Sequence, residues 1–175
     1  MRHIMFGFLM AGCSSIVSET AEELDRLSPL EADPSKMAVA INLPQGFGVY
    51  PNSAVLRMAV ARKDIEQARS EDFVLKQSGS EWTIFEISQQ DHARLADIQS
   101  LARNWEVEDS RATRGEISVD LQPCKTSEAV ARSAVFSISL QLSPDAGFMP
   151  LVRNAPVSSI LSQRALIDVP FCPSK

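Results

Sequence analysis

Two histidines (His3 and His92), three cysteines (Cys13, Cys124 and Cys172) and the carboxylates Glu81 and Glu86 are the residues of this 175-residue chain best suited by type to do chemistry. His92 follows Asp91, and an imidazole beside a carboxylate is the usual start of an acid–base relay. No motif supplies the rest of such a relay: the chain has no G-x-S-x-G elbow, no glycine-rich phosphate loop, no H-E-x-x-H and no aspartate-rich calcium loop. Glu81 and Glu86 are the kind of carboxylate pair that hydrolyses glycosides when it flanks a scissile bond, yet acidic residues at the start of a strand ordinarily face solvent. The cysteines and histidines lack the close spacing that a four-ligand metal site needs. The expectation is a protein that is not an enzyme, with no catalytic residues, no cofactor and no metal, in which His92 is a solvated residue near a helix start.

The elements around these residues follow a period of two. Met37, Val39, Ile41 and Leu43 alternate with smaller or polar residues, as do Leu56, Met58 and Val60, then Ile117, Val119 and Leu121, then Phe136, Ile138, Leu140 and Leu142. Such alternation describes strands with one buried face. Residues 73–76 and 82–87 read as two further strands joined by the short connection "QSGS", a hairpin. One helix interrupts the strands. Ser88 and Asp91 have near-capping-box spacing, and Leu95, Ile98, Leu101, Ala102 and Trp105 share one face at intervals of three and four. Strands joined by short turns, with one helix lying over them, predict a mainly β fold: an antiparallel β-sandwich, with an immunoglobulin-like arrangement as one form of it, and one connecting helix. The immunoglobulin signature of two cysteines bracketing a central Trp is missing.

Two loops carry apolar residues among glycines and prolines. "LPQGFGVYPN" holds Phe47 and Tyr50, and "SPDAGFMPLVRN" holds Phe148 and Met149. Placed at one end of a sandwich, these four residues would form a binding rim, because loops on a rigid scaffold carry recognition and exposed apolar patches mark contacts. The competing reading is that they plug the end of the core.

The N-terminus is read by its order of residue types. Arg2 and His3 precede the apolar run from Ile4 to Ala11, which is much shorter than the roughly 20 residues of a membrane-spanning helix. A positive end, a short apolar stretch and small residues make a secretory signal peptide. In "FGFLMAGCSS" the small pair Ala11-Gly12 stands directly before Cys13. This stretch resembles the lipobox of bacterial lipoproteins, with Met10 where that pattern usually has Leu. The resemblance implies cleavage after residue 12, acylation of Cys13 with palmitate as one of its lipids, and attachment to a membrane of the cell envelope. Ser14 in place of Asp after the cysteine implies outer-membrane sorting on the enterobacterial pattern, with the domain facing the periplasm. The competing reading is a buried N-terminal strand with a free thiol.

With Cys13 lipidated, Cys124 and Cys172 remain as an even pair in a chain exported to an oxidising space, which favours a disulfide over two independent thiols. Residues 13–35 carry six acidic residues against Arg26 and are broken by Pro29 and Pro34, so they read as an acidic tether after the signal peptide at residues 1–12. Residues 36–175 form the β-sandwich domain. Most of the net charge of −5 lies in the tether, leaving the domain nearly neutral and without the clustered Lys and Arg that nucleic acid requires. The function expected is a membrane-anchored binding or adaptor module for envelope proteins. The alternatives are a carrier of an apolar molecule such as a lipid, with Met58, Trp82 and Trp105 lining a cleft under the helix, and, less favoured, an envelope hydrolase.

Overall fold

The computed structural model describes residues 29–78, 83–128, 134–157 and 169–173. Nine strands are present among them: β1 (Ala38–Asn42), β2 (Phe47–Val49), β3 (Val55–Arg62), β4 (Gln67–Ser78), β5 (Thr83–Ile87), β6 (Thr113–Asp120), β7 (Pro123–Lys125), β8 (Val135–Gln141) and β9 (Met149–Pro156). The helix α1 (His92–Asp109) lies between β5 and β6. The architecture is mainly β with one connecting helix, as the alternation predicts. Seven strands form one antiparallel sheet in the order β6-β3-β4-β5-β1-β8-β9, and β2 and β7 form a second, small sheet. The division differs from the four-and-three arrangement of immunoglobulin domains.

The long strand β4 makes this arrangement sandwich-like. Its residues Gln67 to Val74 pair with β3, whereas Leu75 to Ser78 pair with β5. The sheet therefore curls at residues 74–75, and β4 belongs to both halves, the way corner strands join crossing layers. Helix α1 packs on β3, β4 and β6. Leu56, Met58 and Val60 alternate inward on β3 and join Phe73, Leu75, Leu95, Ile98, Ala102 and Trp105 in a core that continues to Val39, Ile41, Phe136, Ile138 and Leu140 in the other half. The helix starts through a 3-10 turn, Gln89–Asp91, and Ser88 makes no side-chain cap. The capping-box spacing thus marks the right place by a different device.

The expected boundary of the domain shifts. Residues 29–35 lie against the helix rather than in the tether: Leu30 and Ala32 pack on the core, and the Gln99 amide donates to the carbonyls of Pro29 and Ala32 at 2.8 and 2.9 Å. Arg103 donates to the Leu30 carbonyl from the next turn of the helix. Backbone carbonyls next to a buried apolar side chain need donors, and the Gln99/Arg103 pair supplies them. Cys13 and the rest of the expected signal and tether lie outside the described residues, as do Glu81 and Trp82. Among the described residues no helix is long and apolar enough to cross a membrane.

Candidate functional site

Cys124 and Cys172 form a disulfide, with the Cys124 side chain fully buried. The bridge sits on the small sheet, where Gly48 of β2 is opposite Cys124 of β7. On its other side β7 receives the C-terminal segment: Lys125 N–H donates to the Pro170 carbonyl, and Cys172 N–H donates to the Lys125 carbonyl, both at 2.8 Å. The tail is thus held by a backbone ladder as well as by sulfur, since Pro170 and Pro173 leave the amide of Cys172 free to pair.

Gly48 gives the bridge its space. A Cβ on this residue would lie 3.0 Å from Cys172 Sγ and 3.3 Å from Thr126 Cγ2. A bridged sulfur cannot swing away, so Gly48→Ala is expected to cost about 2 kcal/mol by overpacking. The same change in a chain carrying Cys124→Ala and Cys172→Ala should cost much less, because the obstructing atom is gone. Urea denaturation of the four variants measures the difference, and equal costs in both backgrounds would refute the assignment.

The four candidate rim residues separate. Phe47 is 9% exposed and Met149 3%, so both belong to the core. Tyr50 is half-buried, its amide donating to the Gln122 carbonyl at 2.8 Å. Phe148 alone is exposed, at 41%. The stretches read as loops are partly strand: Phe47 opens β2 and Met149 opens β9, opposite Leu140. Their alternation points these side chains inward, so the core-plug reading holds for Phe47 and Met149. Phe148 instead flanks a groove of about 370 Å³ on the outer face of the β5-β1-β8 region, lined by Ala40, Asn42, Ile84, Ser137 and Ser139.

Two of the candidate acid–base residues, His92 and Asp91, are half-buried or buried at the start of α1 and engaged in local hydrogen bonds. His92 Nε2 lies 3.2 Å from the Ile87 carbonyl, to which it donates as the Nε2–H tautomer. Its neighbour Asp91 is buried and accepts from Arg94 at 2.8 Å. Glu86 is exposed on β5. Arg94 also lies 4.8 Å over the Phe73 ring, tying the first turn of α1 to β4. Among the described residues, no group of three or more His, Cys, Asp or Glu is placed to hold a metal.

Sequence reasoning missed Arg62 and Gln99. Arg62, the last inward position of β3, is buried and held by both oxygens of Asp64 at 2.8 and 2.9 Å and by Glu108 of α1 at 2.6 Å. Its position on the inward side of β3, after Leu56, Met58 and Val60, was the available signal. Gln99 is 2% exposed and stands four residues after Leu95, a spacing that places it on the apolar face.

The ion pairs give a pH dependence. The guanidinium of Arg62 hydrogen-bonded to Asp64 holds that carboxyl below the ordinary 3.8, and Arg57, bonded to Asp72 at 2.7 and 2.9 Å, does the same there. A carboxylate with a lowered folded-state pKa binds fewer protons folded than unfolded just below the ordinary value. Its contribution is therefore complete above pH 3.8 and is lost as pH falls through the lowered folded-state value. Asp64→Asn and Asp72→Asn should each flatten the acid limb of a stability–pH curve. An unchanged acid limb in both variants would refute this origin.

Comparison with known protein families, curated proteins and solved structures finds no match to this chain.

Proposed function

We propose that this chain is an envelope lipoprotein, anchored through acylated Cys13 and facing the periplasm at the outer membrane, that acts as a binding or adaptor module for envelope proteins. The observation that carries the choice of module over carrier is the closed space beneath α1. Met58 and Trp105, the described members of the proposed lipid cleft, are 3% and 8% exposed and pack with Leu95, Ile98 and Ala102. A carrier needs a concave, largely preformed cavity of several hundred Å³. Among the described residues, one depression of about 450 Å³ reaches the core side chains Phe136 and Ile138 between β7 and β8, away from α1, and the one beside Phe148 has an apolar floor of Ala40 and Ile84 edged by Asn42, Ser137 and Ser139. That surface suits an apolar side chain of an extended protein segment, with polar groups at its margin. The Cys124–Cys172 bridge is in keeping with an oxidising compartment.

The reading is tested in cells and on the purified chain. Cys13→Ser should abolish labelling by a palmitate analogue and release the chain from the membrane fraction; continued labelling refutes the anchor. Phe148→Asp should lose the protein crosslinked to the native chain in envelopes while keeping its melting temperature, because Phe148 is already partly in water. A lipid recovered in stoichiometric amount by native mass spectrometry would replace this reading with the carrier.

A further inference from the structure

The large sheet ends in two edges of opposite character. At one edge, β9 carries Pro150 and Pro156, which have no N–H. It also pairs with β8 through register shifts and places Asn154 at φ 50°. Prolines, irregular pairing and local twist are the usual means of closing an edge against added strands. At the other edge, β6 has no proline, and its eight residues pair with β3 in unbroken register. Arg114, Gly115, Glu116 and Asp120 are exposed along it.

The direction of the β6 amides follows from the ladder. Lys63 N–H donates to the Ala112 carbonyl at 3.1 Å just beyond the Arg62–Thr113 pair. Residues alternate in an antiparallel pair, so Arg114, Glu116, Ser118 and Asp120 direct their backbone groups to β3. Thr113, Gly115, Ile117 and Val119 direct theirs away from it. Among the described residues, one such group is engaged, the Thr113 carbonyl, which accepts from the Arg114 guanidinium.

We infer that β6 is the interface for a second copy of this chain, joined edge to edge and antiparallel about a two-fold axis through Ile117. The charges select the partner and the register. A pairing centred on Glu116 sets two like charges face to face, and one centred on Ser118 sets Glu116 opposite Asp120. Centring on Gly115 sets Arg114 opposite Glu116 but leaves the last third of the strand without a partner. Centring on Ile117 pairs residues 114–120 and places Arg114 opposite Asp120 at both ends, on the face away from α1. The outward amides then meet correctly: Ile117 bonds its symmetry mate and Gly115 bonds Val119, about six backbone hydrogen bonds in all. Asp120 is available for this. It lies 3.7 Å from Arg57, whose guanidinium is already bonded by Asp72, and its side chain is 64% exposed.

Sedimentation velocity of the full chain, over a wide concentration range, tests the interface. The native chain should dimerise. Arg114→Asp alone and Asp120→Arg alone should each weaken the dimer about tenfold or more, since both ends change from attraction to repulsion. An equimolar mixture of the two variants should dimerise again, because every facing pair is then opposite in sign. Gly115→Pro should be monomeric, with the melting temperature that the native chain shows when diluted below its dimerisation range, since its N–H makes no bond to β3 and the space for a Cβ is open. A native chain that stays monomeric, a dimer that survives Asp120→Arg, or variants that do not re-associate on mixing would overturn the inference.

Discussion

Replacing Cys124 and Cys172 by alanine together is expected to lower stability by about 4 kcal/mol, the entropy of a closed loop of roughly 49 residues in the unfolded chain. For a protein of this size that corresponds to a fall in melting temperature of about 10 °C. The bridge ties β7 to a tail segment 48 residues further along the chain, so no shorter contact replaces the constraint. The tail would not detach at once. Val169 is buried, and the two backbone bonds between Lys125 and residues 170 and 172 remain possible without sulfur. Amide exchange should therefore rise first at Cys172 and Phe171, while Ile138 and Leu140 in β8 stay protected. Equal melting temperatures for the native and bridge-less chains would refute the prediction, and uniform loss of protection across β8 would refute the local order of opening.

Trp105→Ala should cost about 3 kcal/mol, and this result bears on function. A large aromatic removed from a filled core loses its transfer free energy and leaves a cavity that its neighbours fill only partly. Trp105 is buried on the fourth turn of α1, the helix that packs on β3, β4 and β6, within the cluster that holds Leu56, Met58 and Ile98. Were it the wall of a lipid cleft, truncation would enlarge the cleft and disturb stability little. Chemical denaturation of the variant separates the two: a cost below about 1 kcal/mol would argue for the carrier and against the adaptor.

The two-residue period of "MAVAINL", "LRMAV" and "FSISLQL" is written in adjacent residues, because side-chain direction in a strand depends only on parity. Strands β1, β3 and β8 were legible for that reason. The apolar face of α1 was legible because Leu95, Ile98, Ala102 and Trp105 keep the helical spacing. The first half of β4, "QARSED", was not. It is polar on both faces and becomes a strand through its pairing with β3, across a turn at Lys63 to Glu66 that contains neither glycine nor proline. Arg62 and Gln99 were hidden because residue type argued for solvent, whereas their position argued for the core, and only the packed neighbours Asp64, Glu108 and Pro29 decide which prevails.

The sequence by itself determined that this is a mainly β chain with one helix, and it singled out two cysteines suited to pairing. Those conclusions rest on patterns local to a few residues or on the count of a scarce residue type. Only the tertiary structure decided that Phe47 and Met149 are core while Phe148 is surface, that Gly48 lies close against the Cys172 sulfur, that residues 29–35 pack against α1, and that among the described residues β6 is an unpaired edge of regular register while β9 is an edge broken by prolines and register shifts. Each of these depends on which segments distant in sequence lie side by side. Burial, steric space and free hydrogen-bonding groups are properties of such pairs, and no single segment carries them.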